Sequence, residues 1–333
     1  MSSPHPRRTQ PTRRARADNG PVARHARRAR RARFCTIALL VLMTASTLAA
    51  PTASARTPTR SVAPTWKDVV KTLSDRATPE SPNPCNRGDE LCIGIVLGEM
   101  TRRMGPLAAK CSHLAAFGAT YAIVTQQVGV GWPHAYRDPA YISHMDAVFA
   151  QAYFDAYDAW KRGSSDVAPA WQTAFDVAKA KSVTGLGDTL LGMNAHISND
   201  LPFVLERTGL TRGDGSDGYD DFAQFNGLLA DLQAPLVDAV AQEFDPSIAD
   251  VSVPGLFVGR DGLEALLGTW RAESWANAQR LVAATTPAAR KAVADEIHAT
   301  AGARALAIRA ATSYIPGFSN TTDRDQYCRQ QHP

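Results

Sequence analysis

From Asp89 to about Ala311 apolar residues recur three and four positions apart, and alternating, β-branched runs are scarce. That spacing predicts helices near 89–104, 106–128, 139–161, 167–180, 188–208 (kinked), 219–244, 261–284 and 287–312. Pro106, Pro139 and Pro287 stand where helices should start, and Gly105, Gly163 and Gly209 where they should end. Thr65 reads as the N-cap of a short helix, "TWKDVVKTLSDR". The segment "VSVPGLFVGR" has room for a short extended piece but announces no sheet. The predicted fold class is therefore all-α: a single multi-helix bundle domain over 85–333, ending in a C-terminal tail.

The first residues break this pattern. "RHARRARRARF" leads into the apolar "FCTIALLVLMTASTLAA" and then "PTASA". A basic start, an apolar middle and a small-x-small ending predict a secretory signal at 1–55, cleaved after Ala55. The apolar run falls short of the roughly 20 residues that a spanning helix needs. A Pro-rich linker with one short helix follows at 56–84. Residues 1–55 hold eleven Arg and one Asp of the chain's 36 basic and 32 acidic residues, so the remainder has 25 basic and 31 acidic, net −6. Nucleic-acid binding needs clustered cations to displace phosphate counterions, and that remainder has no such stripe. The expected product is secreted, without nucleic-acid partners or a transmembrane segment, and of open oligomeric state.

Beyond the leader stand Cys85, Cys92, Cys111 and Cys328. Four cysteines in an exported chain predict two disulfides, with three connectivities available. Cys85–Cys92 at the entry to the first main helix, with Cys111–Cys328 fastening the tail, is the favoured pairing.

Four segments carry a family resemblance: "FGATYAIVTQQV", "YRDPAYISHMDAVFAQAYFDAYDAW", "GLGDTLLGMNAHISNDLPFVLERTG" and "YDDFAQFNGLLADL". Together they resemble an uncharacterised family, found chiefly in actinobacteria and catalogued as a domain of unknown function, over roughly 90–245. The resemblance implies a helical fold and no activity.

Candidate chemistry lies where polar residues fall on apolar helix stripes. Leu190, Met193, Ile197, Leu201 and Val204 form one stripe, with Asn194 near its centre and His196 and Asp200 sharing its shoulder. Asp200, two residues before Pro202, reads first as the cap of a second helix. Asn226 and Gln233 lie on the stripe of 219–244; Glu273, Ser274 and Asn277 lie on that of 261–284. Buried polar groups require partners, so Asn194, Asn226, Glu273 and Asn277 are expected to converge. One reading is a chamber for a small-molecule or lipid-like ligand, using those residues and His196, and walled by Trp270, Phe222 and Phe225. A second is a hydrolase holding a single divalent metal on His196, Asp200 and Glu273. "HISNDLP" resembles the His-x-x-x-Asp helix of the helical zinc phospholipase C and single-strand nuclease group, but lacks the histidine that follows the proline there. A third reading is a structural network. On 139–161, His144, Gln151, Asp155 and Asp158 read as a solvated face, while His113 reads as a satisfied core histidine. No Gly-x-Ser-x-Gly elbow, P-loop, His-Glu-x-x-His or dinucleotide fingerprint occurs.

Overall fold

The computed structural model describes residues 63–131, 134–249, 252–253, 255–315 and 321–332. The expected leader and its cleavage point at Ala55 lie outside the described residues. Helices follow one another as α1 (Trp66–Val69), α2 (Pro84–Arg87), α3 (Glu90–Ala108), α4 (Ala115–Gly131), α5 (Pro139–Lys161) and α6 (Pro169–Ala180). Next come α7 (Gly185–Asn194), a π-helical turn at Ala195–Asp200, α8 (Leu201–Thr208) and α9 (Tyr219–Glu243). Then come α10 (Gly259–Ala283), α11 (Pro287–Thr312) and α12 (Thr321–Gln331). Two-residue strands β1 (Ser252–Val253) and β2 (Phe257–Val258) pair antiparallel ahead of α10. The extended piece expected there thus folds back on itself. Among the described residues, no helix is long and apolar enough to cross a membrane.

Pro139 and Pro287 open α5 and α11, where their missing N–H costs nothing. Pro106 corrects the expectation of a break at 105–106, because it rides inside the last turn of α3. The chain turns later, at Cys111, which takes the left-handed φ of 50° that few non-glycine residues adopt. Gly88 ends α2 at φ 70°, and a Cβ there would stand 2.1 Å from the backbone oxygen of Ala140. No side chain could let α2 approach the start of α5 so closely.

Both disulfides have the expected pairing. Cys85–Cys92 links α2 to α3, and Cys111–Cys328 joins the α3–α4 turn to α12. The tail is itself a helix, and polar contacts hold it as well. Arg324 reaches Asp188 at 2.5 Å, and Asp325 reaches His113 Nε2 at 2.9 Å, with Lys181 on its other oxygen. His113 is thus a satisfied buried histidine.

The continuous helix from Gly185 to Thr208 forms the axis of the bundle. Its α7 half packs on α4, α6 and α11, while α8 packs on α5 and α10. Gly192 brings α7 against α4, since a Cβ there would fall 2.3 Å from the ring of Phe117. Around this axis, Trp171, Tyr153, Phe154 and Phe222 are the largest fully buried side chains.

Candidate functional site

The π turn places the central chemistry. At its end the Leu201 N–H bonds the carbonyl of His196, a five-residue step in place of four. Pro202 follows without an N–H, so no backbone donor from that position closes on the preceding turn. The Ile197 carbonyl instead accepts from Ser274 Oγ of α10 at 2.6 Å. Pro202 and Ser274 together therefore hold open a turn that would otherwise close as ordinary α-helix.

Within that turn, Asp200 accepts three N–H groups. Trp171 Nε1 stands at 2.8 Å, Asn199 Nδ2 at 2.9 Å and His196 Nδ1 at 3.2 Å. Its carboxylate makes no side-chain cap to α8, which corrects the capping expectation. Because a carboxylate only accepts, His196 donates from Nδ1, leaving the Nε2 lone pair free. The imidazole lies flat on Phe149, with ring centroids 3.4 Å apart, and tilts against Tyr121 at 4.6 Å. Burial pulls its pKa below the ordinary histidine value, against the opposing pull of Asp200.

His196 faces a cavity of about 80 Å³ enclosed by α4, α5, the axial helix, α9 and α10. Most of the lining is apolar, including Val124, Met145, Met193, Leu201 and Leu267. Five polar residues interrupt it: Thr120 and Tyr121 on α4, Asp146 on α5, His196 on the π turn and Arg271 on α10; the Thr120 hydroxyl is spent on the Ala116 carbonyl. Tyr121 Oη, Asp146 Oδ2 and His196 Nε2 are buried and make no hydrogen bond. Burial alone pushes the Asp146 carboxyl up to about 7, and burial foremost drives the Tyr121 phenol well above its usual value. Beside the cavity a groove of about 450 Å³ separates α9 from α10, and Leu229 and Leu267 line both spaces.

The expected site residues are only partly gathered. His196 faces the cavity, and Phe225 lines it. Asn226 lies in the adjoining groove, where its Oδ1 accepts from Arg271 Nε at 2.6 Å. Phe222 packs under the same guanidinium, 4.2 Å from ring centroid to Cζ. The other three asparagine and glutamate positions point elsewhere, which corrects the expected convergence. Asn194 donates to the Ala301 carbonyl at 2.8 Å, Glu273 pairs with Arg304 at 2.5 Å, and Asn277 accepts from Arg280 at 3.0 Å. Trp270 is buried beneath Arg304 and lines no part of the cavity. The triplet His196, Asp200 and Glu273 is not assembled, and among the described residues no three His, Cys, Asp or Glu side chains converge as metal ligands. Gln233 is buried beside the groove.

The expected solvated face of α5 also needs correction. His144 is fully buried, its two ring nitrogens 2.9 and 3.2 Å from the carbonyls of Cys85 and Asp75. Asp155 is exposed, and Asp158 pairs with Arg103.

A family profile matches residues 93–311, from the first turn of α3 to the end of α11. The chain belongs to DUF5995, a family of unknown function. All the cavity-lining residues fall inside the DUF5995 match, whereas α1, α2 and α12 lie outside it. Neither the curated proteins nor the solved structures yield a match to the chain.

Proposed function

We propose that this DUF5995 protein is an exported binding protein for a small, mainly apolar molecule bearing a hydrogen-bonding group, held in the cavity beside His196. One observation carries the reading: Tyr121 Oη, Asp146 Oδ2 and His196 Nε2, from three separate elements, border one cavity and lack partners. An unsatisfied buried polar group costs about 1–3 kcal/mol. Three of them weigh about 3–9 kcal/mol, comparable with the whole stability of a domain at about 5–15 kcal/mol. That cost favours an occupant that satisfies all three. The apolar walls favour a ligand whose body is hydrocarbon. The groove between α9 and α10 offers the way in, past Leu229 and Leu267. Two disulfides and the leader expected at 1–55 suit an oxidising, extracellular setting.

The test is thermal unfolding of residues 56–333 against small arenes, alcohols, amides and acids, with Tyr121→Phe and His196→Leu as comparators. Binding should raise the melting temperature of the wild type, and each variant should weaken it. If no compound shifts melting and a crystal structure shows ordered waters satisfying all three atoms, the cavity is structural and the reading fails.

A second reading, hydrolysis, is favoured by the Asp200–His196 pair, whose free Nε2 is placed to take a proton from a water in the cavity. Short-chain chromogenic esters test it. Turnover that survives His196→Gln, or is absent from the wild type, removes it.

A further inference from the structure

Arg271 is 5% exposed and lines the cavity, yet no carboxylate among the described residues pairs with it. Its Nε donates to Asn226 Oδ1 at 2.6 Å and its Nη2 to the Phe222 carbonyl at 2.7 Å, both neutral acceptors, leaving Nη1 uncommitted. The guanidinium lies between the rings of Phe222 and Phe225, at 4.2 and 4.8 Å. Such contacts recover only part of what burying an ion costs. The aromatic sandwich alone therefore does not offset the burial. Consistent with that deficit, burial pulls the guanidinium's pKa down to about 10. The acidic group whose field reaches it is the phenol of Tyr136, itself pushed up to about 12 by burial and so uncharged at neutral pH. The other buried arginines among the described residues, Arg212 and Arg324, have Asp221 and Asp188 against them. Arg271 lacks its anion, and it lacks it beside a cavity.

We infer that the ligand of this cavity is a small apolar monocarboxylic acid whose carboxylate pairs with Arg271 while its hydrocarbon body fills the space between α4, α5 and the axial helix. This inference rests on the binding reading above and names the ligand class. A carboxylate matches the planar guanidinium and supplies one negative charge for one positive charge. A phosphate dianion would ask for further cations, and the cavity offers none besides Arg271. The size of the space, about 80 Å³ before any movement of α9, sets a short body. For comparison, an engineered cavity of about 150 Å³ takes benzene.

Isothermal titration calorimetry with straight-chain alkanoates from butanoate to octanoate, each against its primary amide, tests the inference at neutral pH. Toluene serves as a neutral arene control. Each alkanoate should bind the wild type at least tenfold more tightly than its amide. Affinity should rise with chain length and then stop rising once the cavity is full. Arg271→Gln should abolish the preference for the acid without abolishing binding of the amide, and Arg271→Lys should retain part of it. Equal binding of acid and amide to the wild type would overturn the carboxylate assignment while leaving the cavity reading intact. Should neither series nor toluene bind, the cavity reading itself falls and the assignment with it. If Arg271→Gln does not fold, the acid-to-amide ratio in the wild type decides.

Discussion

Replacing Asp146 with Asn removes a proton-binding site from the cavity and leaves its shape nearly unchanged. In the fold the carboxyl is pushed up to about 7, against an ordinary 3.8, with burial the sole cause. At about 1.4 kcal/mol for each tenfold change in proton affinity, that difference is worth about 4 kcal/mol. The native state holds this proton more tightly than the unfolded chain does. Below about pH 3.8 both states are protonated and the group has no effect. Between about 3.8 and 7 the unfolded chain ionises while the native state resists, so stability falls as pH rises. Above about 7 the loss is complete. Urea unfolding of ligand-free wild type and Asp146→Asn, followed by far-UV circular dichroism from pH 3.5 to 8, reads this directly. The stability of the variant relative to wild type should climb by about 4 kcal/mol across that interval, because every other titrating group cancels in the difference. Any fixed cost of the amide appears as a constant offset. Two parallel curves would refute the claim that Asp146 is dry and without a counter-ion.

Nitrogen-15 NMR of labelled histidine should show His196 neutral and protonated on Nδ1 at pH 6.5, since burial pulls its pKa below the ordinary 6.5; stability from this group is lost as pH falls through that value, where the unfolded chain protonates first, and an imidazolium signal at pH 6.5 would contradict the cavity electrostatics. Cys328→Ser opens a loop with a sequence separation of 217, and should lower stability by about 2–5 kcal/mol in denaturant titrations; no change would mean that Arg324 and Asp325 alone hold α12. Gly192→Ala drives a methyl into the ring of Phe117 and should cost about 1–3 kcal/mol by overpacking, measured as a lower urea midpoint at unchanged slope.

The helical architecture was legible wherever punctuation and periodicity agreed. Pro139 and Pro287 mark the starts of α5 and α11, and both helices have the expected bounds, 139–161 and 287–312. Both cysteine pairs were legible as well. The site was less so, for two physical reasons. First, α5 is buried on most of its circumference, so sorting it into an apolar and a solvated face misplaces its N-terminal half. Asp146 sits in the stripe Ile142, Met145, Phe149, an acid on an oily seam, and that spacing was the available signal. Second, periodicity along 190–204 presumes an unbroken 100° step. The π turn at Ala195–Asp200 interrupts that count, and His196 faces the cavity while Asn194 turns to the Ala301 carbonyl. Glu273 and Asn277 lie on the rim of α10, where arginines from the surface satisfy them. Nothing local in the sequence marks Arg271, because an arginine in a helix usually reaches water and only the fold brings Phe222 and Phe225 over it.

The wide turn before Pro202 also makes the axial helix behave like a sentence with one inserted letter. Everything after Asp200 is read in a phase about 100° away from where an uninterrupted spiral would put it. Chain length there, more than residue identity, determines which side chains of α8 meet α5 and α10. Removing a single residue from Ala195–Asp200 would restore regular winding and keep the downstream faces in register, but it would abolish the wide turn that carries His196 and Asp200. Any relative differing by one position at that place would be expected to enclose a differently shaped hollow.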